Sequence, residues 1–481
     1  MMEPAHVVTM VDRACRTALA QRGPAHLTIP SDIQSIPMED ARPSAVNPGG
    51  HTSPGYRRAR RVPVEEDLED AARVLNGKRK IAILAGAGAR GAGDEPEQVA
   101  EALGAPIAKA MLGKDCIPDD SPYSIGPTGH IESAPTRVAF QECEALLIVG
   151  STMPFVEFYP KPGQTAAVQI DDKPERMGCA TSSRLGWRAM RRRRCRHSCQ
   201  LLQRNEDRGF LEQAQQQMAA WWTLMEQRGT RSDVPMKPQV PAWQLSSLLA
   251  DNAIVCGDAG TVTYWANRQI KIRRGQMFSF SGTNCSMTSG LTYAIGAQVA
   301  FPERQVVAFT GDGSMTMQLG DFLTCVQHNL PVKIIVINNG TLGLEKWEQM
   351  LYLGNPEHGN DLLVPDLVKF AEACGGRGVR IEVPERCHEQ LQAALAMEGP
   401  VIVECVVDPN EPVMEMPFSA KHAQNMAKVL QQDIPDRDRI AETLERDLQE
   451  EQKVAPAAVD EPSEKLLEQL REKSSQQGGQ E

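Results

Sequence analysis

VVAFTGDGSMTMQLGDFLTCVQHNLPVKIIVINNGTLGLEKW, residues 306–347, holds the pattern that decides the fold. It opens on an apolar, β-branched run that ends in Gly311-Asp312-Gly313. A segment of helical length follows, then a second apolar run that ends in Asn338-Asn339-Gly340. The step from Asp312 to Asn339 is 27 positions, the span of one strand–helix–strand unit. Both runs are apolar without alternation, as parallel strands buried on two faces require. The spacing therefore predicts two parallel strands whose polar ends lie side by side at the carboxyl edge of a sheet, where α/β folds bind ligands. An acid and an amide at that edge offer hard oxygen ligands, which suits Mg2+ holding a phosphate ester. The glycines let backbone N–H groups approach phosphate oxygens. An EF-hand reading of Asp312-Gly313-Ser314 fails, because the remaining ligand positions and the closing glutamate are absent, and the chain has no P-loop.

GDG followed by NN at this separation resembles the signature of thiamine-diphosphate (ThDP) enzymes. The flanking text is similar to the pyruvate oxidase, acetolactate synthase and oxo-acid decarboxylase group, and FPERQVVAFTGDGSMTMQLGDFLTCVQHNLPVKIIVINNGTLG most resembles the quinone-linked pyruvate oxidases. A Gly-Asp turn followed by an Asn-Gly turn would account for either motif alone, but not for the paired strands, the spacing and the flanks together. The resemblance implies an α/β, multi-domain chain of parallel doubly wound sheets flanked by helices, with a ThDP-binding fold and a central Rossmann-like domain. It implies ThDP and Mg2+ as cofactors. Asp312 and Asn339 match the Mg2+ ligands that act through side-chain oxygens, and the carbonyl of Thr341 matches a third. Gly313 and Ser314 match positions that offer N–H or hydroxyl groups to the diphosphate, and Gly311 and Gly343 belong to the same cofactor-binding set. Upstream, Asp258-Ala259-Gly260 resembles an acid-x-Gly turn whose backbone meets the diphosphate. Aligning on PERQV brings Met287 onto the bulky apolar position under the bent cofactor, a role that a flexible thioether can fill. Ordinary core filling is the alternative for Met287.

At 481 residues the chain suits two to four domains with full cores. A net charge of −11 argues against nucleic acid or an anionic membrane as a main partner. Twelve cysteines without a CxxC pair favour free thiols in a reducing cytoplasm. There is no signal-peptide pattern at the start and no apolar run near the length of a membrane span.

Residues 1–40 read as a helix over 7–22 and a short strand over 26–29. The text RGPAHLTIPSDI resembles the end of the family's pyrimidine-binding domain. On that comparison most of this domain is absent, together with the family's catalytic glutamate, so no catalytic residue is assigned; Glu3 and Glu39 stand in the wrong context. Residues 41–64 are a Pro/Gly-rich linker whose basic cluster, Arg57, Arg58, Arg60 and Arg61, reads as a solvated strip. Residues 65–178 read as a central α/β domain. Its Gly86-Ala-Gly88-Ala-Arg-Gly91 has the strand-before, helix-after context of a dinucleotide turn, yet the confirming acid is missing, which argues against nicotinamide. Residues 108–114 and 126–132 resemble the FAD-contacting segments of the oxidases, and Asp171-Asp172 closes a strand where an acid can accept from a ribose. The resemblance leaves two readings here: FAD bound, or a domain that has kept its fold and lost its flavin, as in decarboxylase relatives.

Residues 179–200 are aberrant and basic, with Arg191 to Arg194 in a row and no apolar period. They read either as the product of two compensating frame shifts or as a genuine insertion loop, with poor order in both cases. Cys195, His197 and Cys199 fit no standard zinc spacing. Residues 201–240 are a helix and a linker, 241–416 the diphosphate-binding domain, and 417–481 an acidic, flexible tail unsuited to membrane docking. Within the diphosphate domain Glu345, Lys346 and Trp347 read as substrate-facing or as helix surface, the second being the preferred reading.

The resemblance implies a ThDP/Mg2+ enzyme acting on pyruvate or a similar small 2-oxo acid, by decarboxylation with oxidation or carboligation. A homo-oligomer, or a partner that supplies the pyrimidine-binding domain, would complete the site. The alternative is a truncated, non-catalytic paralogue or fragment that keeps a ThDP/Mg2+ half-site as a binding subunit.

Overall fold

The computed structural model describes residues 4–37, 39, 52–53, 55–56, 63–178, 183–188, 201–413 and 420–454. The chain divides into two units, Met1–Val62 and Pro63–Glu481. In the first, the helix Val7–Gln21 ends at Arg22 in the left-handed region, and Arg16 pairs with Asp12 one turn back at 2.7 Å. Residues 26–29, expected as a strand, are coil: among the described residues no neighbouring strand pairs with them, and a lone strand has no ladder to join.

The second unit holds two parallel sheets, each six-stranded among the described residues. The first runs β3-β2-β1-β4-β5-β6, with β1 Ile81–Ala85, β2 Ile107–Lys109, β3 Ser124–Pro127, β4 Ala145–Val149, β5 Ala166–Asp171 and β6 Ser183–Arg188. β6 lies inside the segment read as aberrant. Its backbone pairs with the free edge of β5, with a register shift at Ala167/Val168, because ladder bonds need no particular side chains. Residues 179–182 and 189–200, with the four arginines, Cys195, His197 and Cys199, lie outside the described residues, as do the linker arginines.

The second sheet runs β11-β12-β10-β9-β7-β8, with β7 Ile254–Gly257, β8 Met277–Ser279, β9 Val306–Gly311, β10 Lys333–Asn338, β11 Arg377–Ile381 and β12 Val401–Val406. The unbroken apolar runs arise because both faces are covered: Val307, Phe309 and Ile335 enter one core, and Val306, Ala308 and Ile334 the other. Each of these valine, isoleucine and phenylalanine side chains contributes roughly 1.5–3 kcal/mol by leaving water. The chain passes from β7 to β8 on one side and then crosses back over β7 to β9 on the other, so the carboxyl ends of β7 and β9 flank the point where strand order reverses.

The C-terminal part departs from the expected tail. Residues 420–454 form two helices, Ala420–Val429 and Arg437–Val454. Ile440, Leu444 and Leu448 recur every fourth residue and are buried. The acids that read as solvated pair instead with the end of the helix Gly209–Gly229: Arg228 meets Glu450 and Glu451 at 3.0 Å each, and Arg231 meets Asp447 at 3.6 Å. Residues 455–481 lie outside the described residues. No described helix is long and apolar enough to cross a membrane, and the described cysteines are all free thiols.

Candidate functional site

The register of β9 against β10 pairs Gly311 with Ile337, which sets Asp312 beside the Asn338-Asn339-Gly340 turn. A shared donor closes the contact. The Gly340 N–H donates to Asp312 Oδ2 at 2.7 Å and to Asn338 Oδ1 at 3.1 Å. The other Asp312 oxygen accepts from the Gly313 N–H at 2.8 Å. Gly340 has φ +68, a left-handed turn that disfavours any side chain. Thus the two motifs that the sequence places 27 positions apart meet through one backbone amide.

Asp312 is only 3% exposed. Burial pushes its carboxyl up to about 6, and the groups opposing that rise are backbone N–H donors, including those of Gly313 and Gly340, rather than a cationic side chain. A buried acid in such a place is a poor resident unless a cation compensates it. Asn339 turns its Oδ1 to the Thr341 N–H at 3.3 Å, which leaves a lone pair for a further partner. Thr341 forms an antiparallel bridge with Asp361. Its two bonds run through neighbours, Leu342 N–H to Asn360 O and Leu362 N–H to Gly340 O, so the Thr341 carbonyl is turned away from the bridge. One carboxylate, one amide oxygen and one backbone carbonyl from the two turns are hard oxygens of the kind that suits Mg2+. No cluster of three His, Cys, Asp or Glu side chains suited to a metal occurs among the described residues, and this set, with a single acid, is a different arrangement.

Gly313 is roofed by apolar tips. A Cβ on it would lie 3.2 Å from Met287 Cε, 3.2 Å from Leu362 Cδ1 and 3.3 Å from Leu342 Cδ2. The structure therefore brings Met287, half-buried in its loop, onto the GDG turn. Gly343 opens the helix Gly343–Glu348 and stands against the Asn339 amide: a Cβ there would meet Asn339 Nδ2 at 2.8 Å. Ser314 is buried; its Oγ makes no hydrogen bond of ordinary geometry yet lies near enough to Asp258 to favour that carboxylate.

Asp258 plays a part that the sequence does not disclose. Its side chain is turned inward, accepting from Thr310 Oγ1 at 2.7 Å, Ala259 N–H at 2.8 Å and Gly290 N–H at 3.1 Å. Burial raises its carboxyl and these donors oppose the rise. It ties the ends of β7 and β9 to the start of the helix Ser289–Ala300, so what faces the site from this turn is backbone, including Gly260 at φ +104 with open space beside it. Gly311 ends β9 and leads directly into the helix Asp312–Met317.

Lys346 and Trp347, read as surface, are buried; Glu345 alone is exposed. Lys346 Nζ donates to Asn410 Oδ1 at 2.7 Å and pairs with Glu357 at 3.1 Å, which satisfies the buried ammonium. Asn360, Leu342 and Leu362 were not singled out from the sequence, because they reach the site from loops without periodicity. In the central domain, the Gly88 N–H donates to Gly150 O at 2.9 Å, and a Cβ on Gly88 would lie 2.6 Å from Gly150 Cα, so this glycine serves close backbone packing. Lys109 and Lys114 both bind the buried Asp119, at 2.5 and 3.2 Å.

Sequence comparison agrees with this geometry. Residues 258–405 match the family described as "Thiamine pyrophosphate enzyme, C-terminal TPP binding domain", and residues 68–187 match "Thiamine pyrophosphate enzyme, central domain". The chain is 31% identical over 423 residues to "Putative thiamine pyrophosphate-containing protein YdaP" of Bacillus subtilis (strain 168), covering 88% of this chain and 71% of that one. It is 25% identical over 423 residues to the "Probable acetolactate synthase large subunit" of Methanococcus aeolicus, covering 83% and 69%. It is 26% identical over 412 residues to the pyruvate oxidase of Lactiplantibacillus plantarum, covering 84% and 67%. A turn built to hold a buried acid beside an amide, on a doubly wound sheet with these relatives, places the chain in the family of thiamine-diphosphate-dependent enzymes that includes the acetolactate synthases and pyruvate oxidases.

Proposed function

We propose that Asp312, Asn339 and the Thr341 carbonyl hold Mg2+ against the diphosphate of ThDP, and that the chain acts on pyruvate or a similar small 2-oxo acid, with decarboxylation followed by oxidation or carboligation. The observation that carries this reading is the Gly340 N–H bond to Asp312, which joins the two motifs at the carboxyl edge of β9 and β10. When bound, the cofactor supplies a thiazolium carbon that adds to the oxo group and takes up the electrons left by CO2. The chain's own residues do the holding. Backbone N–H groups around Gly260 suit phosphate oxygens, and the apolar tips of Met287, Leu342 and Leu362 suit the cofactor's rings. The partner in this reading is a pyrimidine-binding domain from another chain or a second copy. Tyr293 and Met317 stand exposed on the helices Ser289–Ala300 and Asp312–Met317 and are apolar side chains that such a domain would cover.

For the central domain both readings stand, FAD bound or a fold without its flavin: Lys109, Lys114 and the Gly88 N–H are already engaged within the protein, and flavin absorbance in the purified protein decides between the two. The core of the proposal is tested by calorimetric titration of the full chain with ThDP. Binding is expected with Mg2+ present and lost after chelation of divalent cations. Equal binding with and without the metal would sink the assignment.

A further inference from the structure

Behind the ligand set stands a buried charge that the reading above leaves unused. Glu404 lies on β12, 2% exposed, between Val403 and Cys405, both fully buried. Two donors reach it: Arg380 Nε on β11 at 2.8 Å and Asn338 Nδ2 on β10 at 2.7 Å. Arg380 is its register partner across the β11–β12 ladder, and an ion pair alone would make Glu404 a stitch between two strands.

The bond to Asn338 carries the argument further. An ionised carboxylate only accepts, and a backbone N–H only donates. Asn338 lies between one of each. Its Nδ2 faces Glu404 and its Oδ1 accepts from the Gly340 N–H at 3.1 Å, so just one of its two amide orientations satisfies both neighbours. The same Gly340 hydrogen is shared with Asp312 Oδ2 at 2.7 Å. A chain of contacts thus runs from the sheet interior to its edge: Glu404 orients Asn338, Asn338 holds the Gly340 amide, and that amide aims one oxygen of Asp312. A flipped Asn338 would set its NH2 against the Gly340 N–H, displace the turn and release the Asp312 oxygen.

We propose that Glu404 and Asn338 are positioning residues that aim the Asp312 carboxylate at the divalent cation of the ThDP site. The inference rests on the reading that Asp312 is a Mg2+ ligand. The test is calorimetric titration of Mg2+ into the full chain at saturating ThDP, with apo thermal stability measured in parallel. Glu404→Gln keeps the side chain's size; its oxygen turns to Arg380 and its NH2 to Asn338, which favours the flipped amide. Glu404→Gln and Asn338→Ala are each expected to weaken Mg2+ binding about tenfold, the lower end of what outer-shell partners of metal ligands contribute. The double variant is expected to bind no worse than Asn338→Ala alone, because both act through one link. Lowered stability with unchanged Mg2+ affinity in both single variants, or additive losses in the double, would overturn the proposal and leave Glu404 a stitch. Asp312→Ala separates the two levels. If it abolishes Mg2+ binding while the other two variants bind like wild type, the relay fails and the ligand assignment stands. If Asp312→Ala binds like wild type, both fail.

Discussion

Gly343 is the position where a single methyl group would reach the proposed metal site, since its Cβ would stand 2.8 Å from Asn339 Nδ2 and 3.0 Å from Thr261 Cγ2. Gly343→Ala is expected to lower Mg2+-dependent ThDP affinity about tenfold by turning the Asn339 amide, while changing stability by about 1 kcal/mol; calorimetry and thermal unfolding of the same variant check both halves. Away from the site, Glu132 makes a pH prediction. Burial lifts its carboxyl to about 8, against the pull of Arg137 and Arg268. The folded protein therefore keeps a proton that the unfolded chain releases near the ordinary value, and stability from this group falls as pH rises from that value to about 8. Glu132→Gln is expected to flatten that decline, read from urea midpoints on either side of the interval. At this scale the spacing placed Asp312 beside the Asn338-Asn339-Gly340 turn, where the structure has it, while Met287 was singled out only through its resemblance to family text and lies against Gly313. Lys346 was not legible: a lysine at a helix start reads as solvated, and the Asn410 that satisfies it lies 64 residues away.

Among the elements, β1, β4, β5, β7, β9, β10 and β12 were legible as apolar runs, whereas the short β2, β3 and β8 carry too few residues to show a pattern. The helix Arg437–Val454 shows where such reading stops. Its leucines are sparse and its acids many, a pattern that suits solvent unless cations wait for it. Arg228 waits 222 residues earlier, 3% exposed and surrounded by Asp447, Glu450 and Glu451. Removing one partner of a buried ionic group leaves the others uncompensated. Arg228→Ala is therefore expected to cost about 3–5 kcal/mol and to open the last helix to limited proteolysis. Denaturant unfolding and mapping of the first cleavage sites check this; a protected helix with unchanged stability would refute the docking. β6 was illegible for the opposite reason: the edge of β5 accepts a backbone whatever side chains it carries.

For the molecule as a whole, strand order explains why one place gathers the chemistry. The strand order of the second sheet reverses between β7 and β9, and the turns after those strands carry Asp258 and Asp312, one locked inward as scaffold and one held beside Asn339 and Gly340. The first sheet meets this region through Asp119, which binds Lys109 and Lys114 on its own side and accepts from the Ile272 N–H at 2.7 Å on the other. The most direct test of the central claim compares ThDP binding, in the presence of Mg2+, to the full chain and to Asp312→Ala by calorimetry. The account predicts metal-dependent binding by the unaltered chain and at least a tenfold loss in Asp312→Ala, with unfolding still cooperative. Binding by Asp312→Ala equal to that of the unaltered chain would contradict it.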